Sequence, residues 1–290
     1  MEPGDRVTVV IPVWGRYVDL VADAVGSIDA RAGTARVIVV DNASSPRVPV
    51  MDGAEVARSD VRLSLGGSRN LGLSLVATEY VVFLDADDLL LPGTIPRLVA
   101  ALDRRPDCTA LVAGIVDASG ARWRTPRRVA MGLARHRRQF AWLNAVWSLT
   151  PTQGCTIMRT ATVRDVGGYA DRSGGEDWAL GASLAFRGRI AFDPTPALIY
   201  HARPDSRGPR RVPLGTLLSD AALVRRRLRD HPNVGGGTFA LAILAIAQAF
   251  AALLVHPLAR ALRRTRSLPA GLSGARAAAA KGSARQRAVS

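Results

Sequence analysis

Only two cysteines, Cys108 and Cys155, occur in the 290 residues, and each sits inside an apolar run. That scarcity excludes a disulfide framework and leaves buried, reduced thiols as the expected state. Lysine is scarcer still: among 39 basic residues, Lys281 is the one lysine. A chain so heavy in Arg, Ala and Val carries part of its basicity as a mark of a GC-rich genome, not of binding. The first residues, Met1-Glu2-Pro3-Gly4-Asp5-Arg6, lack a basic segment followed by an apolar one. No signal peptide is expected, and the cytoplasm is the expected compartment. Acidic residues run short beyond residue 202, where 3 acids stand against 16 bases. That segment holds +13 of the formal net charge of +15, so the part before it is nearly neutral and no nucleic-acid partner is expected.

The 48% apolar composition suffices for one large core or two modest ones. Expected strands at 6–12, 36–40, 55–58, 80–84, 111–116 and 156–158 alternate with expected helices at 17–28, 66–77, 92–104, 139–148 and 160–166. This alternation predicts an α/β fold with a mostly parallel sheet flanked by helices. Pro12 is expected to stop the first strand, because it has no N–H for the ladder. Ser68 is the expected cap of the 66–77 helix. Residues 121–140 turn basic and irregular and read as an insertion. Behind them Phe140, Trp142 and Trp147 either line a pocket or pack on the sheet. Residues 189–199 read as a strand-rich stretch broken by Pro194 and Pro196.

Chemistry concentrates where an apolar strand, Val81-Val82-Phe83-Leu84, runs into Asp85-Ala86-Asp87-Asp88. Three carboxylates in four positions repel one another unless a positive group sits between them. A divalent cation with oxygen ligands suits them, and open positions on it would hold phosphates. The bland alternative is a helix N-cap, with Asp87 or Asp88 capping a helix from about Leu89. In an open parallel sheet, ligands bind outside the carboxyl ends of strands. Pro12 to Arg16, Asp41-Asn42 and Asp85 to Asp88 all fall at such ends, which favours a site. A second acidic pair, Glu176-Asp177, opens a helix behind Gly174-Gly175. It either complements the helix dipole or faces a cleft as a general base. His201 follows a strand and is either a hydrogen-bonded structural residue or a metal ligand.

These segments, in order, resemble the family 2 glycosyltransferases of the GT-A (Rossmann-like) fold: Val9-Val10-Ile11-Pro12-Val13-Trp14, Val39-Val40-Asp41-Asn42-Ala43-Ser44, Gly67-Ser68-Arg69-Asn70-Leu71-Gly72, Phe83-Leu84-Asp85-Ala86-Asp87-Asp88 and Gly175-Glu176-Asp177-Trp178. The resemblance covers about residues 5–205. It implies a metal-dependent, inverting transfer of one sugar from a UDP-, TDP- or GDP-linked donor. The acceptor would be a hydroxyl on a glycan, a lipid-linked acceptor or a small molecule, in cell-envelope glycan, glycolipid or secondary-metabolite synthesis. Pro12, Val13, Trp14 and Arg16, with Asp41 and Asn42, would hold base and ribose, Asp41 accepting a base N–H. Arg69 and Asn70 would lie beside the nucleotide. Asp85, Ala86 and Asp87 would form the Asp-x-Asp motif, with Asp87, Asp85 and His201 around Mn²⁺ or Mg²⁺. Asp177, next to Glu176, would be the base. Trp14-Gly15-Arg16 departs from the family's usual Tyr-Asn-Lys or Tyr-Asn-Arg, which leaves the nucleotide open. No Gln-x-x-Arg-Trp follows Asp177, so processive synthesis is not expected. A sugar nucleotidyltransferase and an inert, basic membrane- or nucleic-acid-associated protein are the alternatives.

The expected organisation is a catalytic domain at 1–205 (1–120 for the nucleotide sugar, 121–205 for acceptor and base), a helical extension at 206–266 and a disordered basic tail at 267–290. Residues 238–255 form an 18-residue apolar stretch broken by Gln248 alone. As a helix it is about 27 Å long, short of a ~30 Å hydrocarbon core. A docked or interfacial helix is therefore the expectation over a span; arginines on both sides choose no orientation but suit an anionic leaflet, peripheral to the inner face of the plasma membrane.

Overall fold

The apolar runs become the strands of one mixed eight-stranded sheet. A computed structural model describes residues 6–28, 35–117, 128–201, 213–234 and 237–264. Strand β1 (Val7–Val13) is buried along its whole length, and so is β2 (Arg36–Asn42) after its first residue. Beyond them come β3 (Glu55–Ser59), β4 (Tyr80–Phe83), β5 (Leu89–Leu90), β6 (Cys108–Asp117), β7 (Thr156–Arg159) and β8 (Arg189–Tyr200). The order across the sheet is β3-β2-β1-β4-β7-β6-β8-β5. Strands β7 and β5 run against their neighbours, and the other pairings are parallel. The chain winds outward from β1 to β3, then returns to place β4 on the other side of β1. That reversal falls between β1 and β4, and ligands of open α/β sheets sit at the carboxyl ends beside such a switch point.

Pro12 does not stop β1. The Val10 carbonyl accepts the Leu84 N–H at 2.9 Å, so the groups of Val10, and of Pro12 two residues on, face β4. The β1–β4 ladder ends at Val10–Phe83, whereas pairing with β2 continues through Val13–Asp41. The missing proline N–H therefore falls where no partner waits. Likewise β8 runs unbroken through Pro194 and Pro196, which sit where its pairing with β6 shifts register around Gly114.

Helices α1 (Val21–Gly26), α2 (Leu65–Leu75), α3 (Thr94–Asp103), α4 (Arg128–Leu133), α5 (Arg137–Val146), α6 (Thr160–Asp165) and α7 (Glu176–Arg187) connect the strands. The expected 17–28 helix is a 3-10 turn at Gly15–Asp19 followed by α1. The cap of α2 is Ser64, whose hydroxyl accepts the Gly67 N–H at 2.9 Å, and Ser68 is buried inside the helix. Part of the expected 121–140 insertion lies outside the described residues, and the rest is helical. Phe140 and Trp142 pack rather than line a pocket, edge-on to Phe192 and Phe186 respectively.

Gly72 lets α2 approach the sheet. A Cβ there would stand 2.2 Å from Val10 Cγ1 and 3.0 Å from Val40 Cγ2. Gly72→Ala is expected to destabilise the fold by roughly 1–3 kcal/mol through overpacking, read as a lower urea midpoint with an unchanged slope.

The described residues up to Ala252 form one compact unit, and those from Leu253 onward a second. Helix α8 (Leu214–Arg229) and the first part of α9 (Gly237–Arg264) belong to the first unit, burying Leu223, Val224, Leu228 and Leu244. The tail expected to be disordered lies outside the described residues.

Candidate active site

The acidic loop after β4 caps no helix. Leu89–Leu90 form β5 against Leu198 and Ile199 of β8, and α3 starts at Thr94 behind Gly93. Pairing of β5 with β8 brings the end of β8 to the loop, where the His201 N–H donates to Asp88 Oδ1 at 2.9 Å. Asp85 and Asp87 stay partly exposed, whereas Asp88 and Ala86 are buried.

A buried cation ties this loop to the second acidic pair. Arg69, on α2, has no exposed surface. Its Nη2 donates to Asp85 Oδ1 at 2.8 Å and its Nη1 to Glu176 Oε1 at 3.0 Å. Its guanidinium lies 5.1 Å from the ring centre of Tyr169, a buried residue whose hydroxyl donates to the Thr152 carbonyl. Burial works against the charge of Arg69, but Asp85 and Glu176 outweigh it and hold the pKa above the usual arginine value. Arg69, expected beside the nucleotide, is an internal strut between the two carboxylate clusters.

Asp177 is the second residue of α7, which starts at Glu176 behind Gly175, whose φ of +72° suits glycine. Some of its surface stays open, yet protein surrounds most of the carboxyl. That burial, with the neighbouring Glu176 second, pushes its pKa up to about 6 against the pull of Arg69. A carboxylate poised there holds its proton more readily than an ordinary Asp and sits closer to the optimum for general base work at neutral pH.

Three other expected nucleotide ligands turn inward. Asp41 is 1% exposed; its oxygens accept from the N–H groups of Ser44 (2.9 Å) and Val48 (3.3 Å) and from Arg58. Burial opposes its charge, but the bonds from Ser44, Arg58 and Val48 prevail and lower its pKa. It shapes the loop after β2 and has almost no surface for a base. Asn42 clamps the backbone of Leu63, receiving its N–H at 2.8 Å and donating to its carbonyl at 3.1 Å. Asn70 does the same to Tyr169, at 2.8 Å both ways. Pro12 and Val13 are buried in β1.

What faces outward at the end of β1 is Trp14, half-buried, and Arg16, exposed. Arg62 lies 4.8 Å from the centre of the Trp14 ring, and Tyr17 meets that ring edge-on. Sequence reasoning missed Arg62, which belongs to no motif; its one signal is a position just past β3 at the same edge. Cation and indole together make a surface on which a flat heterocycle can stack.

The acidic loop and His201 offer donors suited to a divalent ion. Among the described residues, no three His, Cys, Asp or Glu side chains form a cage for a metal. His201 Nδ1, however, is buried with no hydrogen-bond partner among the described residues, on a residue whose N–H is held by the acidic loop. Asp87 adds hard oxygen donors. That set fits an ion that takes its other ligands from phosphate and water. A cavity of about 590 Å³ at the amino ends of β6 and β8, lined by Arg105, Met131, Arg135 and Phe192, contains none of these residues.

Comparison with known proteins places the chain in a family. The family model described as "Glycosyl transferase family 2" matches residues 8–167. Uncharacterized glycosyltransferases of Mycobacterium tuberculosis and Mycobacterium bovis are 30% identical over 175 residues, which is 59% of this chain and 75% of each relative. Among solved structures, Staphylococcus aureus TarS 1-349 with UDP-GlcNAc is similar with a TM-score of 0.61 and 16% identity, covering 86% of this chain and 73% of that one. The TarS fragment with UDP is covered over 66% of its length, with a TM-score of 0.57. The mannosyltransferase PcManGT of Pyrobaculum calidifontis, in complex with GDP-Man and Mn²⁺, matches with a TM-score of 0.52 and 20% identity over 97% of this chain and 80% of that one. The sheet is that of the GT-A fold, and the chain belongs to the family 2 glycosyltransferases.

Proposed function

We propose that this transferase moves a single sugar from a nucleoside-diphosphate sugar to an acceptor hydroxyl with inversion at the anomeric carbon. The observation that carries the reading is the Asp85–Arg69–Glu176 tie, which holds the acidic loop beside the partly open Asp177. Trp14 and Arg62 would stack against the base. Asp177 would take the proton of the attacking hydroxyl as the oxygen closes on the anomeric carbon. Asp87 and His201 would hold Mn²⁺ or Mg²⁺, which when bound supplies charge stabilisation to the leaving diphosphate. Arg69 would keep Asp85 and Glu176 fixed and shield Asp177 from their charge. UDP, UDP-GlcNAc and GDP-Man in the similar structures support a nucleotide donor without choosing one.

Calorimetric titration of UDP, TDP and GDP, with and without Mn²⁺, tests this. One nucleotide is expected to bind in a Mn²⁺-dependent way, with affinity falling more than about tenfold in Asp87→Asn. Binding of none of them by folded, metal-supplied protein would sink the reading.

A further inference from the structure

Helix α9 has two unlike faces. Leu244, Gln248 and Ala252, spaced by four, are buried. Gln248 fixes that face: its Nε2 donates to the Ala145 carbonyl of α5 at 2.8 Å, and its Oε1 accepts from Arg225 of α8. On another face Phe239, Ile243, Ile246 and Phe250 are 76%, 52%, 71% and 64% exposed, and Leu253 and Leu254 are exposed too. Six large apolar side chains on one helix is more than the scatter of single hydrophobes found on ordinary surfaces.

The 4-3-4-3 spacing of residues 239, 243, 246, 250 and 253 is also that of a coiled-coil seam. A seam needs charged flanks to set partner and register. Here the flanking positions are Ala240, Ala242, Ala247 and Ala249, and no Asp, Glu, Lys or Arg occurs from Gly237 to Ala259. The charges lie at the two ends. Arg226 and Arg229 are exposed at the end of α8, and Arg260, Arg263, Arg264 and Arg266 follow the apolar segment in sequence. An uncharged apolar stripe between cationic ends is complementary to a lipid surface with anionic headgroups.

We infer that α9 binds this enzyme to an anionic bilayer, lying in the interface with the 239/243/246/250 face among the acyl chains. Gly237–Leu254 is long and apolar enough to cross a membrane, with a mean hydropathy of 2.1. Spanning would pull Gln248 from Ala145 and Arg225 and leave a buried amide among lipid tails, a cost that lying flat avoids. The inference stands on surface chemistry and needs no particular donor or acceptor.

The test is co-sedimentation of the full chain with vesicles of phosphatidylcholine alone or with an equal part of phosphatidylglycerol. Wild type is expected to pellet with the anionic vesicles and much less with the neutral ones. High salt weakens this binding without abolishing it. Ile246→Asp with Phe250→Asp is expected to lower partitioning at least about tenfold, with nucleotide binding unchanged. Because both side chains are exposed, the variant keeps its fold, checked by its urea midpoint. Wild type that stays in the supernatant with both vesicles, or a variant that pellets like wild type, overturns the proposal. So does a solution dimer that the variant splits while neither protein binds vesicles, which would make the stripe a contact between copies. Binding only by a chain ending at Arg264 would make residues 265–290 the occupant, and the proposal would fail. None of these outcomes touches the nucleotide titration, so the proposed reaction stands or falls separately.

Discussion

Asp177→Asn is expected to lower kcat by about 10²–10⁴-fold, using the donor selected by calorimetry, while donor binding stays near wild type. The amide keeps the shape and the bond from the Trp178 N–H, which Asp177 Oδ1 accepts at 2.7 Å, but cannot take a proton. The pH profile separates a base from a mere hydrogen-bonding group. With the carboxyl pushed up to about 6, kcat/KM should fall with the ionised fraction below that pH and level off above it. The residual activity of the variant should lack that limb. Stability gives a check independent of turnover. A carboxyl whose folded pKa lies above its ordinary 3.8 favours the fold while protonated and loses that contribution as pH rises through about 6. Wild type should therefore gain stability relative to Asp177→Asn between pH 7 and pH 5. A variant with unchanged kcat, or a wild type without the acid limb, would remove Asp177 as the base.

Arg69→Met should cost about 3–5 kcal/mol of unfolding free energy, the range for removing one partner of a buried ion pair. Arg69 has no exposed surface and Glu176 is 4% exposed, so the carboxylate left behind has no water to turn to. The loss should shrink in Arg69→Met with Glu176→Gln, because the second change removes the stranded charge. Nucleotide binding should suffer with the fold, since Asp85 loses the partner that holds it. Urea denaturation of the four proteins of this cycle measures the coupling. A single-variant loss below about 1 kcal/mol would place the guanidinium among ordinary surface charges.

Much of this architecture could be read from residue order. Apolar runs of strand length alternating with helical spacing gave the sheet, and the acids at 85–88 and 176–177 are the two clusters that Arg69 joins. Identity of residue type did not give the role of each side chain. Asp41, Asn42 and Asn70 are polar groups at strand ends or on a helix, the pattern of ligands as much as of clamps. Which role each takes depends on partners elsewhere in the chain: Arg58 for Asp41, Leu63 for Asn42 and Tyr169 for Asn70. Strand β5 was unreadable for a similar reason. Two leucines carry no period, and they are a strand because Leu198 and Ile199 stand beside them. Ser68 competes with Ser64 for the cap because Gly66 and Gly67, between the two serines, blur where the helix begins.

The Arg69 tie also governs how the chain can be divided. Its contact with Asp85 spans 16 residues, but its contact with Glu176 spans 107, and the start of α2 is bound to the 170–173 segment through Ser64–Asp171 (2.6 Å), Leu65–Ser173 (2.9 Å) and Gly66–Arg172 (3.1 Å). A nascent chain released up to residue 120 holds a guanidinium with one of its two carboxylates and without the Tyr169 ring beside it. Residues 1–120 are therefore not a separable module. Arg69 meets its second carboxylate only on the arrival of residues 169–176, after a long-range loop has been shut.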